Sequence, residues 1–419
     1  MANVNKFYKF PPERKYLLQR LIPSLYRSLK EGDNIMKIKI FTVISTLLKN
    51  TRLEYPLPEI NDFIIEIQKI LETTNEVKNF ETTKSLDLLP LVTTELTQDK
   101  QLIQSALKAL ASLSANNKDA KNYIINKEIH KRILILASNE EARVRVAACC
   151  FIAALIKDDI FAMNMLDNKD TLELMTKLIH DKYLDVEIEA MSALCNMSID
   201  AKRGISESET CLTRIIALMS SKYTELKYRS IFLLKNLFFR FTLSNTKEQK
   251  EKLLSMVKVE EFMKLFDDED IKIQEQAICT MRNIVIGDER LAFEQLTNIG
   301  LVNVLQRVKV KIESTIPKIS IQALYLLSSL AFKYEEYKIQ IVDSSVLSLC
   351  VSMLDSMNNK IIKAVLSFVS TILKRDKEVF PSAIQKLKQL GIENKLKKLT
   401  KNPYSIIKEK AIGVLSNLN

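Results

Sequence analysis

The sequence predicts an all-α fold built from a repeated helical unit, on three observations. Of the 419 residues, 47% are hydrophobic but only six are glycine and nine are proline, so helices joined by short turns should dominate. A chain of this length is too long for one ordinary hydrophobic core. One apolar pattern also recurs along most of the chain, which indicates a stack of similar units.

The recurring pattern starts with a small or apolar residue, here called the anchor, and continues with large apolar residues four and seven positions later. This spacing puts all three residues on one face of a helix. A small anchor lets that helix approach its neighbours closely. The anchors are Ala106, Ala148, Ala190, Ser230, Ala277, Ala323, Val365 and Ala411, with a looser copy at Ile40. Between Ala106 and Ala411 they lie 40 to 47 residues apart, the period of armadillo and HEAT repeats.

Two features favour armadillo repeats over HEAT repeats. A second apolar segment precedes the later anchors, as at 298–308 and 389–399, and Gly300 and Gly391 suit a tight turn between a short first helix and a second one. Asparagine also recurs six residues after the anchor, on the third helix, at Asn196, Asn236, Asn283 and Asn417. We therefore predict an armadillo-repeat, right-handed superhelical solenoid of about nine repeats.

The predicted organisation has three segments: an extended N-terminal arm at 1–12, irregular helical repeats at 13–100, and regular armadillo repeats at 101–419. Ile40 and Ala106 are 66 residues apart, too far for one repeat. We expect an insertion or a poorly formed repeat at 60–80, after a loop marked by Pro56 and Pro58.

The net charge is +11, and residues 381–419 hold eight lysines against two glutamates. Such a surface can attract nucleic acid, anionic lipid or an acidic protein segment, or it can be a solvated lysine-rich helix face. No aromatic stacking motif or zinc spacing accompanies the lysines, which argues against nucleic acid as a partner. No uncharged apolar run approaches the roughly 18–20 residues that span a bilayer, so no membrane insertion is expected.

Nothing in the sequence indicates catalysis. The six cysteines form no CxxC pair, which is typical of buried free thiols in a reducing compartment, the cytoplasm or nucleus. His130 and His180 have no cysteine or histidine at ligand spacing, and no glycine-rich phosphate loop occurs. The acidic run at 267–270 should cap the following helix rather than bind a metal. We predict a non-enzyme without cofactor, metal or small-molecule substrate.

In armadillo proteins the third helices line a concave groove. Cargo-carrying importin-α proteins place tryptophan four residues before the groove asparagine; this chain has no tryptophan and has Ser192, Phe232, Cys279 and Gly413 there. A +11 chain would also repel basic peptides.

The predicted groove instead offers the aromatic residues Phe232 and Tyr325, with Lys235 and Arg282 one position before an asparagine. This surface would suit an extended segment with apolar side chains and acidic groups or a free C-terminal carboxylate. Alternatively, the two aromatic rings pack between repeats. The asparagines could likewise bond backbone groups near their own helix C-terminus.

Two stretches give a closer resemblance. They are LLKNLFFRF at 233–241 with LLSMVKVEEFMKLFDDEDIKIQEQAICTMRNIVIG at 253–287, and KLKQLGIENKLKKLTKNP at 386–403. Together they resemble the armadillo subunit of the GID/CTLH ubiquitin ligase complex over roughly 225–419.

This resemblance implies a non-catalytic scaffold. Its C-terminal groove would hold the extended tail of a substrate receptor, and its N-terminal part would dock on a LisH/CTLH-type core subunit. Catalysis would belong to the RING subunits. The implied groove residues are Phe232, Lys235, Asn236, Arg282, Asn283, Tyr325, Ser329 and Asn417. The alternatives are a general armadillo adaptor with cytoskeletal, ciliary or trafficking partners, and an importin-α-like cargo carrier.

Overall fold

The computed structural model describes residues 12–48, 59–73, 89–115, 117–157, 169–198, 202–239, 246–286, 290–374 and 379–418. All regular structure in these ranges is helical. Residues 1–11 of the predicted arm, and the predicted loop at Pro56 and Pro58, lie outside the described residues.

The chain divides into two compact units, residues 1–214 and 215–419. The helices of the first unit are α1 Pro12–Glu31, α2 Asn34–Leu48, α3 Glu59–Thr73, α4 Leu89–Ser114, α5 Lys118–Asn126, α6 Ile129–Leu136, α7 Ala142–Ile156, α8 Lys169–Leu178, α9 Leu184–Met197 and α10 Lys202–Glu207. Helix α11, Glu209–Leu218, contains the boundary. The helices of the second unit are α12 Thr224–Leu237, α13 Thr246–Met256, α14 Val259–Lys264, α15 Ile271–Ile286, α16 Arg290–Ile299, α17 Leu301–Ile312, α18 Pro317–Lys333, α19 Glu335–Asp343, α20 Ser345–Ser352, α21 Asn359–Ile372, α22 Val379–Gln389, α23 Ile392–Leu399 and α24 Ser405–Leu418.

Each unit is a stack of third helices. In the first unit α2, α4, α7 and α9 contact one another in that order, and in the second unit α12, α15, α18, α21 and α24 do so. All eight regular anchors lie on these helices, and none is more than 1% exposed. The predicted period therefore marks helices that pack in sequence through a small buried residue.

The irregular N-terminal region has a simple arrangement. Helix α2, which holds Ile40, contacts α4, which holds Ala106, so no further repeat lies between them. Helix α3 packs against both α1 and α4. The sequence predicts either an insertion or a poorly formed repeat at 60–80, and these helix contacts favour an insertion within one repeat. Residues 74–88 lie outside the described residues.

The side chain nine residues before each anchor from Ala148 to Ala411 closes the turn that leads into the third helix. Its oxygen accepts a hydrogen bond from the backbone N–H two residues later, at 2.9–3.2 Å. This residue is Asn139, Asp181, Ser221, Asp268, Ser314, Ser356 or Asn402 in successive repeats. Short polar side chains favour such turns because they can bond their own backbone.

Side chains also join consecutive repeats through backbone carbonyls. The arginine sixteen residues before an anchor donates to a carbonyl in or just after the second helix of the preceding repeat. Arg132 reaches Leu71 O (3.1 Å) and Arg214 reaches Ile179 O (3.0 Å) in the first unit. Arg307 reaches Met263 O (3.1 Å) in the second. These carbonyls end helices, so the arginines satisfy acceptors that the helices leave unpaired.

The predicted glycine turns are confirmed by backbone geometry. Gly300 and Gly391 have φ of +93° and +70°, and each precedes a second helix. Glu128 adopts the same kind of conformation, φ +56°, before α6.

Replacing Gly391 by alanine should therefore lower the free energy of unfolding by about 1 kcal/mol, because an L-residue is strained at positive φ. An added Cβ would meet nothing within 4 Å there, so the effect isolates the backbone. Gly413→Ala is the matched control: it lies inside α24 with equally open space and should be neutral or stabilising. Urea unfolding of both variants checks this, and the same sign for both would contradict it.

None of the described helices is by itself long and apolar enough to cross a membrane. Residues 335–343 and 345–355 pass that test only as a pair, bent by 73°.

Candidate binding face of the third helices

The structure brings seven of the eight predicted groove residues together on α12, α15 and α18. They occupy positions two, five and six after the anchor, which share one side of a helix together with position nine. We call this side of the three helices the third-helix face. Asn417 holds the same position on α24, beyond α21, and is exposed.

Cations on the third-helix face bridge to the next repeat. Lys235 Nζ donates to Gln276 Oε1 at 2.9 Å and lies 3.7 Å from the centre of the Phe232 ring. Arg282 Nη1 donates to Gln322 Oε1 at 3.1 Å, and its guanidinium carbon lies 6.0 Å from the Tyr325 ring centre. The cation is five residues after one anchor and the glutamine is one residue before the next. The aromatic rings thus serve as platforms for cations.

The positive charge of Arg282 is not neutralised within the described structure. Its side chain is half-buried, and no described carboxylate lies within ion-pair distance of the guanidinium. The Nε atom is buried without an acceptor. Buried donors are usually satisfied, so a guanidinium in this state favours contact with an added acceptor.

Two of the four asparagines six residues after the anchor donate to backbone carbonyls of a neighbouring helix. Asn283 is only 4% exposed, and its Nδ2 donates to Lys235 O at 3.0 Å. In the first unit Asn196 Nδ2 donates to Ala153 O at 2.8 Å. In both cases the acceptor lies five residues after the preceding anchor. The expectation of bonds near their own helix C-terminus is wrong for these two residues. Asn283 also presents little surface to a ligand, because it lies where α15 meets α12.

The remaining predicted residues lie nearer the surface. Phe232, Asn236, Tyr325 and Ser329 are half-buried. The Phe232 ring also packs on Tyr228, with ring centres 6.0 Å apart. Both residues belong to α12, so this contact is not the packing between repeats that the alternative predicted. Ser329 Oγ donates to Tyr325 O, one turn earlier. A binding role for these residues stays a prediction.

An apolar row that the sequence pattern did not predict lies nine residues after the anchor. Phe239, Ile286 and Phe332 are 44%, 53% and 58% exposed. The next member of the row is Lys374, whose Nζ lies 4.3 Å from the centre of the Phe332 ring. These residues stand at the ends of three consecutive third helices, where the pattern suggested only a loop. Their regular spacing was the signal that could have found them.

The acidic run before α15 caps that helix, as predicted for Asp270, whose carboxylate accepts the N–H of Lys272 at 2.7 Å. Asp268 pairs with Lys227 at 2.9 Å, and Asp267 pairs with Lys311 at 2.7 Å. These ion pairs join successive repeats, which the sequence reasoning did not foresee.

The cysteines and histidines lie in structural positions. All six thiols are free; five are buried and Cys150 is half-buried. Burial raises the pKa of Cys211 to about 11, far from a reactive thiolate. His130 is buried in α6, its Nδ1 has no hydrogen-bond partner, and burial lowers its pKa. His180 is exposed in the turn after α8. Within the described ranges, no three His, Cys, Asp or Glu side chains group as metal ligands.

Stacked three-helix repeats with a small buried anchor define the class: the chain is an armadillo-repeat solenoid. An engineered protein of known crystal structure superposes with a TM-score of 0.66 at 17% identity, over 95% of this chain and 98% of that one. A designed armadillo repeat protein in complex with the peptide (KR)4 gives a TM-score of 0.51 at 18% identity, over 58% and 98%. No protein-family model matches the chain.

Two curated proteins have sequences similar to this chain. Armadillo repeat-containing protein 8 of Pongo abelii is 23% identical over 324 residues, 76% of this chain and 47% of the relative. GID complex subunit 5 of Schizosaccharomyces pombe is 22% identical over 263 residues, 62% and 33% respectively. The chain spans about half the length, or less, of these curated relatives. The chain is therefore an armadillo-repeat protein with sequence similarity to armadillo repeat-containing protein 8 and to a GID complex subunit.

Proposed function

We propose that this chain is a scaffold subunit of a GID/CTLH-type ubiquitin ligase in the cytoplasm or nucleus. Its third-helix face would hold the extended tail of a substrate receptor, and its N-terminal part would dock on a LisH/CTLH-type core subunit. The relation to a GID complex subunit supports the assembly. The observation that carries the binding site is the pair of cation–aromatic contacts, one within α12 and one between α15 and α18.

The charge of the face separates this proposal from the cargo-carrier alternative. A designed armadillo protein binds a peptide of alternating lysine and arginine, according to its description. On this chain, Lys235 and Arg282 lie on the third-helix face and would repel such a peptide. A general armadillo adaptor remains the second candidate, because any acidic partner could use the same cations.

Affinity purification of the full chain followed by mass spectrometry tests the assembly. We expect LisH/CTLH-type and RING subunits to co-purify at physiological salt. Their absence even at low salt, where charge contacts are strongest, would overturn the proposal. Recovery of tubulin or coat proteins in their place would identify the adaptor alternative.

A double charge reversal tests the face. Lys235→Glu with Arg282→Glu should weaken receptor binding by at least about tenfold while core-subunit binding is unchanged, because only the receptor contact loses its complementary charge. Lys252→Glu with Lys258→Glu makes the same charge change at exposed positions beside α14 and should leave both interactions intact. Quantitative co-precipitation reads both partners in one experiment. Unchanged receptor binding in a folded Lys235/Arg282 variant would place the site elsewhere.

A further inference from the structure

We infer that the segment held on the third-helix face carries acidic and large apolar residues in regular alternation. Its acidic groups lie at Lys235 and Arg282, and its apolar side chains cover Phe239, Ile286 and Phe332. This inference rests on the proposed use of the face and specifies the chemistry of the partner.

The apolar row is the first support. Three large apolar side chains at the same register of consecutive helices are about half exposed. Single exposed apolar residues are common on protein surfaces, whereas a contiguous row marks an interaction site. At one end the row stops at a cation, because Lys374 follows Phe332 in the row. The row is therefore an apolar strip with a cation at that end.

Two of the three apolar residues follow a cation by four positions. Arg282 and Ile286 lie one turn apart on α15, and Phe239, just beyond the end of α12, is four residues after Lys235. On α18 the residue four before Phe332 is Ser328, and the cation at that ring is Lys374 of the next repeat. A partner that crosses α12 and α15 meets a cation and an apolar side chain at each helix. A partner segment that places an acidic residue at each cation and an apolar residue at each apolar side chain complements the two rows.

The distance between repeats sets the spacing in the partner. Packed helices are about 8–10 Å apart, and an extended chain rises about 3.3 Å per residue. Each repeat therefore matches roughly three residues of the partner. The segment predicted from this geometry has one large apolar and one acidic residue in every three.

An acidic protein segment fits the strip better than nucleic acid does. Ile286 offers no aromatic plane on which a base could stack. The strip also presents apolar area beside each cation, where a nucleic acid would place phosphates.

Fluorescence anisotropy with labelled synthetic probes on the full chain tests the inference. The probe is a twelve-residue peptide of four Leu-Asp-Ser units. One control peptide has lysine for every aspartate, the second has serine for every leucine, and the third probe is a twelve-residue oligothymidylate. We expect the Leu-Asp-Ser peptide to bind at least about tenfold more tightly than all three.

Variants locate the binding. Arg282→Gln and Phe332→Ser should each weaken binding of the Leu-Asp-Ser peptide by about fivefold or more. Val302→Ser, a change of the same kind at a 68% exposed residue on the second helix α17, should not. Circular dichroism melting shows whether each variant is folded.

Three results would overturn the inference: no preference for the Leu-Asp-Ser peptide over the controls, equal binding of the oligonucleotide, or wild-type peptide affinity in folded Phe332→Ser. Peptide binding and ligase assembly can fail separately. A chain that binds the probe but recovers no LisH/CTLH subunit retains this inference and loses the proposed assembly. A chain that recovers LisH/CTLH subunits but does not bind the Leu-Asp-Ser peptide retains the proposed assembly and loses this inference.

Discussion

Asp181→Ala should lower the free energy of unfolding by about 3 kcal/mol, the largest effect that we expect from a single substitution. Arg145 of α7 donates through Nε to Asp181 Oδ2 at 2.8 Å and through Nη2 to Asp181 Oδ1 at 2.9 Å. Both side chains are only 10% exposed. Removing the carboxylate leaves a guanidinium charge almost buried without its counter-charge, which costs more than a surface ion pair contributes.

The same pair joins two repeats of the first unit. Arg145 Nη1 also donates to Asn139 O and Glu140 O at 2.8 Å, in the turn that precedes its own helix. Asp181 in turn accepts the N–H of Tyr183 and so closes the next turn. Loss of Asp181 therefore removes a turn-closing acceptor as well as an ion pair.

The pH dependence of stability should carry the signature of Asp181. Burial raises its pKa, but the hydrogen bonds from Arg145 and Tyr183 and the charge of Arg145 outweigh burial, so the pKa lies below its ordinary value of 3.8. A carboxyl whose pKa is lower in the folded state than in the unfolded state stabilises the fold at every pH above its unfolded-state pKa. This contribution is lost as the pH falls through its folded-state pKa. Wild type should therefore lose stability below about pH 4 by this route, and Asp181→Ala should not.

Asp185→Ala is the matched control, because Asp185 is exposed in the first turn of α9. This substitution should change the free energy of unfolding by less than about 0.5 kcal/mol. Urea unfolding at neutral and acidic pH gives the comparison. Hydrogen exchange in α7 and α9 adds a local readout, because stacked repeats can unfold in parts. If Asp181→Ala and Asp185→Ala were equally mild at neutral pH, the pair would not be a structural link.

The fold was predictable because its determinants are local and repeat. The anchors needed only a small residue at helical spacing from large ones, and every regular anchor is buried. Gly300 and Gly391 were predictable from backbone freedom alone. The turn residue nine positions before the anchor is also determined locally. It is Asn, Asp or Ser in different repeats, and because all three form the same hydrogen bond, a search for one residue type does not find the position.

The candidate site was less predictable, because it depends on how side chains turn between helices. Asn283 and Ser329 occupy the same register, six residues after the anchor. Asn283 reaches a carbonyl of the preceding third helix, whereas Ser329 is too short to leave its own helix and bonds Tyr325 O. The glutamine partners of Lys235 and Arg282 are 41 and 40 residues away in sequence, so a local sequence pattern cannot predict these hydrogen bonds.

Ala323→Leu should lower the free energy of unfolding by about 2–3 kcal/mol, because it forces a larger side chain into the contact that sets the spacing of the helices. Ser230 shows what an anchor faces: its Oγ donates to Ile215 O of the second helix α11 at 2.6 Å. The third helix α18 packs on the second helix α17, and its anchor Ala323 is 1% exposed.

A graded series separates packing from helix propensity. Ala323→Val should cost less than Ala323→Leu, since valine already occupies the equivalent position at Val365. Ala217→Leu introduces the same side chain at an exposed site of α11 and should change stability by less than about 0.5 kcal/mol. Urea unfolding ranks the three variants. If Ala323→Leu were no more harmful than Ala217→Leu, close helix approach would not explain the small anchor, and the 40- to 47-residue period would need a different physical cause.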